Sequence, residues 1–279
     1  DYSSIEAENK FLFENTFRKN GFKILAGLGY EYARFQASTY QRLVLAGTPT
    51  VIDVNSTLDL HKVAAFAQAT KSLFKDRFDI SLGLRTDINS YSASMLNPLK
   101  QFSPSLSLNY VASEKISLSA NVSRYNQLPS YTILGYRDNE GNLKNKENEL
   151  KYIQADHFVI GTSYISKFKS KFSLEGFFKK YNYYPFSIND SISLANLGSD
   201  FGIVGNEEVT SSSNGRSYGI EFLYQQKLIK GFYGLLAYTF VTSEFQSING
   251  VYVPSTWDSK HIISITGGKR FKKGWEIGF

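Results

Sequence analysis

The sequence contains no cysteine, which removes any disulfide framework, thiol nucleophile or thiolate metal site. It also lacks a long hydrophobic run. The longest apolar stretches, such as residues 63–67 and 235–241, fall far short of the ~20 residues that a membrane-spanning helix needs. Histidine is scarce. His61, His157 and His261 stand far apart and none falls in a metal-ligand spacing, so no metal site is expected. No Gly-rich phosphate loop and no nucleophile elbow occurs, so neither a catalytic residue nor a cofactor is expected, and nothing marks the chain as an enzyme. The net charge of +6 is spread along the chain without a basic stripe interleaved with aromatics, which gives nucleic acid no support as a partner. No secretory signal opens the sequence. Asp1 leads almost directly into strand-like residues, so the expectation is a processed N-terminus or a piece of a longer protein.

What is present is alternation. Leu106, Leu108 and Tyr110 fall on one face of an extended segment, and Ser105, Ser107 and Asn109 on the other. After Ser113, Glu114 and Lys115 the pattern resumes, with Ile116, Leu118, Ala120 and Val122 opposite Ser117, Ser119, Asn121 and Ser123. A period of two residues is the mark of a β-strand with different environments on its two faces, and three polar residues between two such runs make a hairpin. One face is apolar, and the other carries small polar groups with few charges. That suits a strand standing between lipid and a wet or plugged lumen. On this reading Leu106, Leu108, Ile116, Leu118, Ile220 and Phe222 face lipid, and Ser107, Asn109, Ser119, Asn121 and Glu221 face the lumen.

The same alternation recurs along the chain and predicts about 12 strands in an antiparallel meander. Short turns are expected at residues 19–21, 75–76, 113–115, 167–170, 228–230 and 272–274. Long connections are expected at 37–57, 92–101, 127–151, 185–215 and 246–257. Strands of roughly 12–15 residues exceed the usual globular length of about 5–6. Short turns alternating with long loops are a property of outer-membrane barrels, whereas a soluble sandwich has no reason to sort its loops by end. Aromatics are abundant, with 19 Tyr and 22 Phe. Phe22, Phe78, Phe102, Phe172, Phe232 and Phe271 are expected near the short turns and Tyr30, Tyr32, Tyr91, Tyr125, Tyr131, Tyr181 and Tyr183 toward the long loops, as interfacial girdles require. The fold class expected is therefore all-β, an antiparallel up-and-down transmembrane β-barrel with outer-membrane lipid as its surroundings. The long loops would lie outside the cell and carry any ligand contacts. Tyr131, Tyr136 and Arg137 are the candidates, because amphipathic rings and a guanidinium suit polar ligands. The run Asp138, Asn139, Glu140, Gly141, Asn142 lacks the full spacing and closing glutamate of a calcium loop and reads as solvated loop.

Several motifs carry a family resemblance. Gly215-Arg216-Ser217-Tyr218-Gly219-Ile220-Glu221 follows a pattern of Gly, aromatic, Gly, hydrophobic, Glu. Tyr238-Thr239-Phe240 and Trp257-Asp258-Ser259-Lys260-His261 follow it, and Phe102-Ser103-Pro104 and residues 124–129 precede it. In this order they resemble the barrel of TonB-dependent outer-membrane receptors of the Bacteroidetes type, over most of residues 102–279. The resemblance implies a barrel of about 22 strands around an N-terminal plug. It also implies import of a small nutrient of the siderophore, vitamin, saccharide or peptide class, driven by a TonB-type energising complex acting through that plug. Residues 1–279 would then be part of the barrel domain only, multi-pass in the outer membrane, with the plug absent from this chain and the strand after residue 274 incomplete. Two alternatives stand beside this reading. One is a complete small barrel, acting as a porin or a membrane hydrolase, and the other is a soluble β-rich binding or adhesion protein.

Overall fold

The alternation is realised as a single antiparallel sheet. The computed structural model describes residues 1–45, 48–138, 140–168, 170–197 and 205–279. The expected turn at 167–170, the calcium-like run at 138–142 and the expected loops at 37–57 and 185–215 each include residues outside that set. Among the described residues there are thirteen strands. In chain order they are β1 (Tyr2–Lys19), β2 (Phe22–Leu45), β3 (Thr48–Leu73), β4 (Phe78–Asn89), β5 (Ser103–Val111), β6 (Ile116–Gln127) and β7 (Ile153–Ile165). They continue with β8 (Ser170–Ser187), β9 (Val209–Ile229), β10 (Phe232–Gln246), β11 (Tyr252–Pro254), β12 (Lys260–Arg270) and β13 (Glu276–Gly278). Each pairs with its neighbours in sequence, apart from one local break. β11 pairs with β10 over Glu244 to Gln246, and β12 takes the same side of β10 from Phe232 to Val241. β1 and β13 lie at the two edges of the sheet and do not pair with each other.

Hairpin geometry follows from turn chemistry. Asn20 and Gly21 both have positive φ (52° and 74°), as do Lys230 and Gly231 (50° and 86°). Two consecutive residues with positive φ match the right-handed twist of the flanking strands. A Cβ on Gly231 would stand 2.4 Å from the Arg270 carbonyl oxygen, so glycine is also needed there for space. This turn lies one residue later than the 228–230 expected, because the glycine that can adopt the geometry is at 231.

Register sorts the side chains. Leu106 faces Val122, Leu108 faces Ala120 and Tyr110 faces Leu118, while Ser107 faces Asn121 and Asn109 faces Ser119. Carried on through β7, β8 and β9, the register puts Ile116, Ile220 and Phe222 on the face of Leu106, Leu108 and Leu118, and Glu221 on the face of Ser107, Asn109, Ser119 and Asn121. The apolar face is bare: Leu118 is 46% exposed, Ile160 70%, Ile220 50% and Ile263 64%. A soluble sandwich would bury that face against a second sheet, and among the described residues none exists. So continuous an apolar surface needs hydrocarbon beside it.

The buried core lies at one end of the sheet. There the described parts of the connections 90–102, 128–152 and 188–208 fold over the polar face and pack on Ala33, Phe35, Leu58 and Leu60 of β2 and β3. Met95, Leu134 and Leu150 are fully buried in it. The connection 128–152 contains two single-turn helices, α1 (Tyr131–Leu134) and α2 (Lys144–Glu147).

Three expectations are corrected here. Residues 37–57 are largely ladder, since β2 and β3 stay paired as far as Leu45 opposite Thr48. Polar residues on both faces of that segment hide it from a periodicity argument, yet its backbone groups still pair. The loop expected at 185–215 is shorter, because β8 runs to Ser187 and β9 starts at Val209. Pro185, which has no N–H to give, lies where the β8–β9 register shifts, between Tyr184 and Phe186. Phe102 stands at the long-connection end of β5, away from the short turns.

The face assignment predicts unequal penalties within one hairpin. Leu118→Arg should destabilise the protein by about 2–4 kcal/mol if position 118 lies at the bilayer midplane, and Ser119→Arg by well under that. Equilibrium unfolding in lipid vesicles measures both, and equal penalties would contradict the assignment.

Candidate functional site

The connections at the covered end act as one body because their backbone polar groups are tied together by buried side chains. Asn145 is fully buried. Its Nδ2 donates to the carbonyls of Ile133 at 2.7 Å and Glu207 at 2.9 Å, and its Oδ1 accepts from the Val209 N–H at 2.8 Å. One amide thus joins the 128–152 connection to the 188–208 connection. The Tyr91 hydroxyl donates to the Leu134 carbonyl at 2.8 Å, Asn89 Nδ2 to the Tyr152 hydroxyl at 2.9 Å, and Ser56 to the Gly135 carbonyl at 3.0 Å. These bonds bring the 90–102 connection and β3 into the same assembly.

Beneath this cap the inner wall carries charge of both signs. Lys62 on β3 forms ion pairs with Glu31 on β2 and with Glu8 on β1 (3.6 Å), and Lys10 pairs with Glu8 at 2.5 Å. Arg85 and Asp87 on β4 form a two-bonded pair at 2.7 and 2.6 Å. A cavity of about 460 Å³ opens among Lys10, Glu31, Lys62, Arg85, Asp87 and Tyr152. These charges sit every second residue along strands whose other face is apolar, so the register delivers them all to one side. The wall can hold a polar or zwitterionic partner. It presents no nucleophile–base pair, and no group of three or more metal-ligating side chains occurs among the described residues.

The three candidates singled out from sequence do different things. Tyr131 opens α1 and points into the wall. Its hydroxyl accepts from Lys62 Nζ at 2.5 Å and donates to Glu8 at 3.1 Å, and its ring packs on Phe35 at 5.7 Å. Arg137 is used by the backbone, with its guanidinium donating to the carbonyls of Gly141 (2.7 Å) and Thr57 (3.2 Å). Tyr136 is half-buried. Burial pushes its hydroxyl pKa up, and the carboxylates of Glu208, Asp138 and Glu207 push the same way. The structure therefore brings Tyr131 to the charged wall and leaves Arg137 in the cap. Sequence reasoning passed over Lys62, Glu8 and Glu31. Charges recurring on the polar face of otherwise apolar strands were the signal that could have found them.

The motif residues of the C-terminal third build a second wall element. Trp257, Tyr184 and Tyr181 surround Phe245, which is 1% exposed, at ring separations of 6.3, 4.7 and 5.5 Å. Gly215 makes room for it, since a Cβ there would lie 2.4 Å from the Phe245 ring. Asp258 accepts from the Ser243 N–H at 2.9 Å and pairs with Lys260 at 2.9 Å, and His261 shares a hydrogen bond with Tyr238 at 2.9 Å. The sequence Trp257 to His261 thus anchors the start of β12 to β10.

A long-stranded antiparallel sheet with a bare apolar exterior, a charged interior and a loop cap on the inner side is the wall of a transmembrane β-barrel. The chain belongs to the TonB-dependent receptor-like β-barrel family, whose model matches residues 1–278. It is similar in fold to a copper transporter, OprC (TM-score 0.68, 15% identity), over 99% of this chain and 42% of that one. It is also similar to the ferripyoverdine receptor of the outer membrane of Pseudomonas aeruginosa (TM-score 0.66, 16% identity; 99% and 38%). The ferric-catecholate import receptor Fiu from E. coli K12 matches as well (TM-score 0.65, 13% identity; 100% and 44%). The chain spans about two-fifths of the length of these structures. No curated protein matches in sequence.

The cap analysis yields two predictions. Asn145→Ala orphans the Val209 N–H and the Glu207 carbonyl, while the Ile133 carbonyl keeps the Tyr136 N–H at 3.3 Å, and each orphaned buried group costs about 1–3 kcal/mol. Amide exchange at Leu134, Leu150 and Val209 should accelerate while Leu118 in the ladder is unchanged; uniform acceleration would contradict a separate cap. Glu207 gives the pH dependence. Burial holds its carboxyl above the ordinary carboxylate range, Asp190 adds to that, and the Ser187 hydroxyl at 2.8 Å opposes it. A carboxyl whose folded pKa is raised favours the folded cap below its unfolded pKa of about 4.3. That contribution is lost as pH rises through the folded value. Protection of Ser187 and Val209, corrected for intrinsic exchange, should fall as pH rises above the unfolded pKa and through the raised folded one and be flattened by Glu207→Gln.

Proposed function

We propose that this chain forms part of the barrel wall of an outer-membrane receptor that imports a small nutrient. A TonB-type complex would energise import through a plug domain outside these residues. The observation that carries the reading is the charged inner wall under a loop cap, in a sheet whose family is that of TonB-dependent receptors. Both-sign charge facing inward suits a barrel that holds a folded polar domain, whereas an open pore has no use for a cap built on fully buried side chains. The spanned fraction of the related structures supports a longer parent protein. The solved structures named above are those of a copper transporter and of two receptors for ferric chelates. A metal or metal chelate is therefore the nutrient to test first, alongside vitamins, saccharides and peptides. The order of the motifs from Phe102 to His261 supports the Bacteroidetes-type group.

Within the cap, Tyr136 is the proposed ligand contact, because no hydrogen bond engages its hydroxyl among the described residues. Tyr131 and Arg137 hold the cap in place and would affect ligand only through it.

Two measurements test this. Since the chain has no cysteine, single cysteines report topology cleanly. A membrane-impermeant maleimide on intact cells should label Glu140→Cys and leave Glu114→Cys unlabelled; the reverse would invert the topology. Cells with the full-length receptor should accumulate one of a panel of labelled ferric chelates, vitamins, saccharides or peptides only while the inner membrane is energised. Accumulation that survives uncoupling would contradict driven import and favour a porin.

A further inference from the structure

The outer face of β6 to β10 is organised in rows set by cross-strand register. The row nearest the loop cap is Arg124, Asp156, Lys180, Arg216 and Glu244. One pair closer to the turns lie Val122, Phe158, Phe178, Tyr218 and Thr242, and one further pair along lie Ala120, Ile160, Gly176, Ile220 and Phe240. The third row is notched at Gly176. A Cβ built there would meet only Ile160 Cγ2, at 3.9 Å. The result is an apolar groove of about 510 Å³, walled by Phe158, Phe178, Tyr218, Ile220 and Phe240.

Charge in the first row is almost fully spent on itself. Arg124 holds Asp156 with two bonds, at 2.6 and 3.1 Å, and Arg216 holds Glu244 at 2.8 Å. Lys180 stands in register between Asp156 and Arg216 and is exposed, and no ion pair or hydrogen bond engages its ammonium among the described residues. It lies four residues from Gly176 on the same face, roughly 13 Å at the usual rise of a strand.

We propose that this groove binds one molecule of a phosphate-bearing lipid of the surrounding membrane, with an acyl chain in the notch at Gly176 and its phosphate on Lys180. The groove offers an aliphatic chain ring faces and an open floor. The uncompensated ammonium at its cap-side end offers a phosphate oxygen a charge-assisted hydrogen bond. A neutral lipid would leave Lys180 without a counter-charge, and a second copy of the chain would bring another row with a surplus cation against it. The site depends on the sheet facing lipid and is independent of import, so it can fail while the receptor reading stands.

Native mass spectrometry of the full-length receptor in neutral detergent tests it, with dioleoyl phosphatidic acid and dioleoylglycerol as probes. Phosphatidic acid should bind as one retained molecule in clear preference to dioleoylglycerol. Lys180→Gln should weaken it about fivefold, the contribution of one lysine beside an anionic lipid, and Lys180→Arg should restore it. Gly176→Leu and Gly176→Phe should both abolish retention by filling the notch. Heat-modifiable gel mobility confirms folding, and the milder Leu variant serves if Phe does not fold. Equal binding of the two lipids, unchanged binding in Lys180→Gln, or unchanged binding in the folded Gly176 variant would overturn the site. So would a second copy of the receptor occupying the face in place of lipid.

Discussion

Everything in this fold depends on satisfying backbone N–H and C=O groups where no water reaches. An unpaired group in hydrocarbon costs several kcal/mol, so a chain that crosses as strands must pair each strand along its whole crossing. The ladders from β1 to β8 do this without a gap in register; shifts occur in β8–β9 at Tyr181 to Phe186, next to the capped end, and in β9–β10 between Phe232 and Gly234, beside the turn. Once pairing is fixed, so are the faces, because a slip of one residue would turn every apolar side chain inward. The apolar exterior and the charged interior are both consequences of one register.

The same strands then serve two solvents. A crossing takes about 9–11 residues, but β2 has 24 residues and β3 has 26. Toward the turns, the inner face of β2 opens at Gly27 and Gly29, with the Phe66 ring of β3 lying across Gly27, and the outer face carries Leu28 and Tyr30. Toward the other end, their inner face becomes apolar at Ala33, Phe35, Leu58 and Leu60, where the folded connections cover it. The cap is thus a small water-facing domain built on strand extensions, with a core of its own and with Asn145 satisfying the backbone where its segments meet. Lys62, tied to Glu8, Glu31 and Tyr131, lies at the junction of the two regimes.

Much of this was legible in the sequence, for a definite reason. Where one face meets lipid and the other does not, hydrophobicity alternates, so the hairpin of β5 and β6, its turn and its faces could be read from Leu106 to Val122. Legibility fails where the two faces meet the same medium. Residues 37–57 carry polar groups on both faces and looked like loop, yet backbone pairing needs no particular side chain and the ladder continues. The aromatic at 102 was assigned to the wrong end, because strand propensity and interfacial preference favour the same rings. Tyr131 and Arg137 were picked for their chemistry, but their partners, Lys62, Glu8 and the Gly141 and Thr57 carbonyls, come from distant parts of the chain or from loop geometry that no local pattern encodes.

The central claim is that the exterior set by this register stands in lipid. Spin labels placed one at a time from Ile116 to Asn126 in the full-length receptor, reconstituted in vesicles, measure it directly through collision with oxygen and with a water-soluble nickel chelate. The account predicts oxygen accessibility that oscillates with a period of two, high at Leu118, Ala120 and Val122 and low at Ser119 and Asn121, with the nickel response out of phase. Accessibility that is flat along the strand, or dominated by the nickel reagent at Leu118 and Val122, would contradict it.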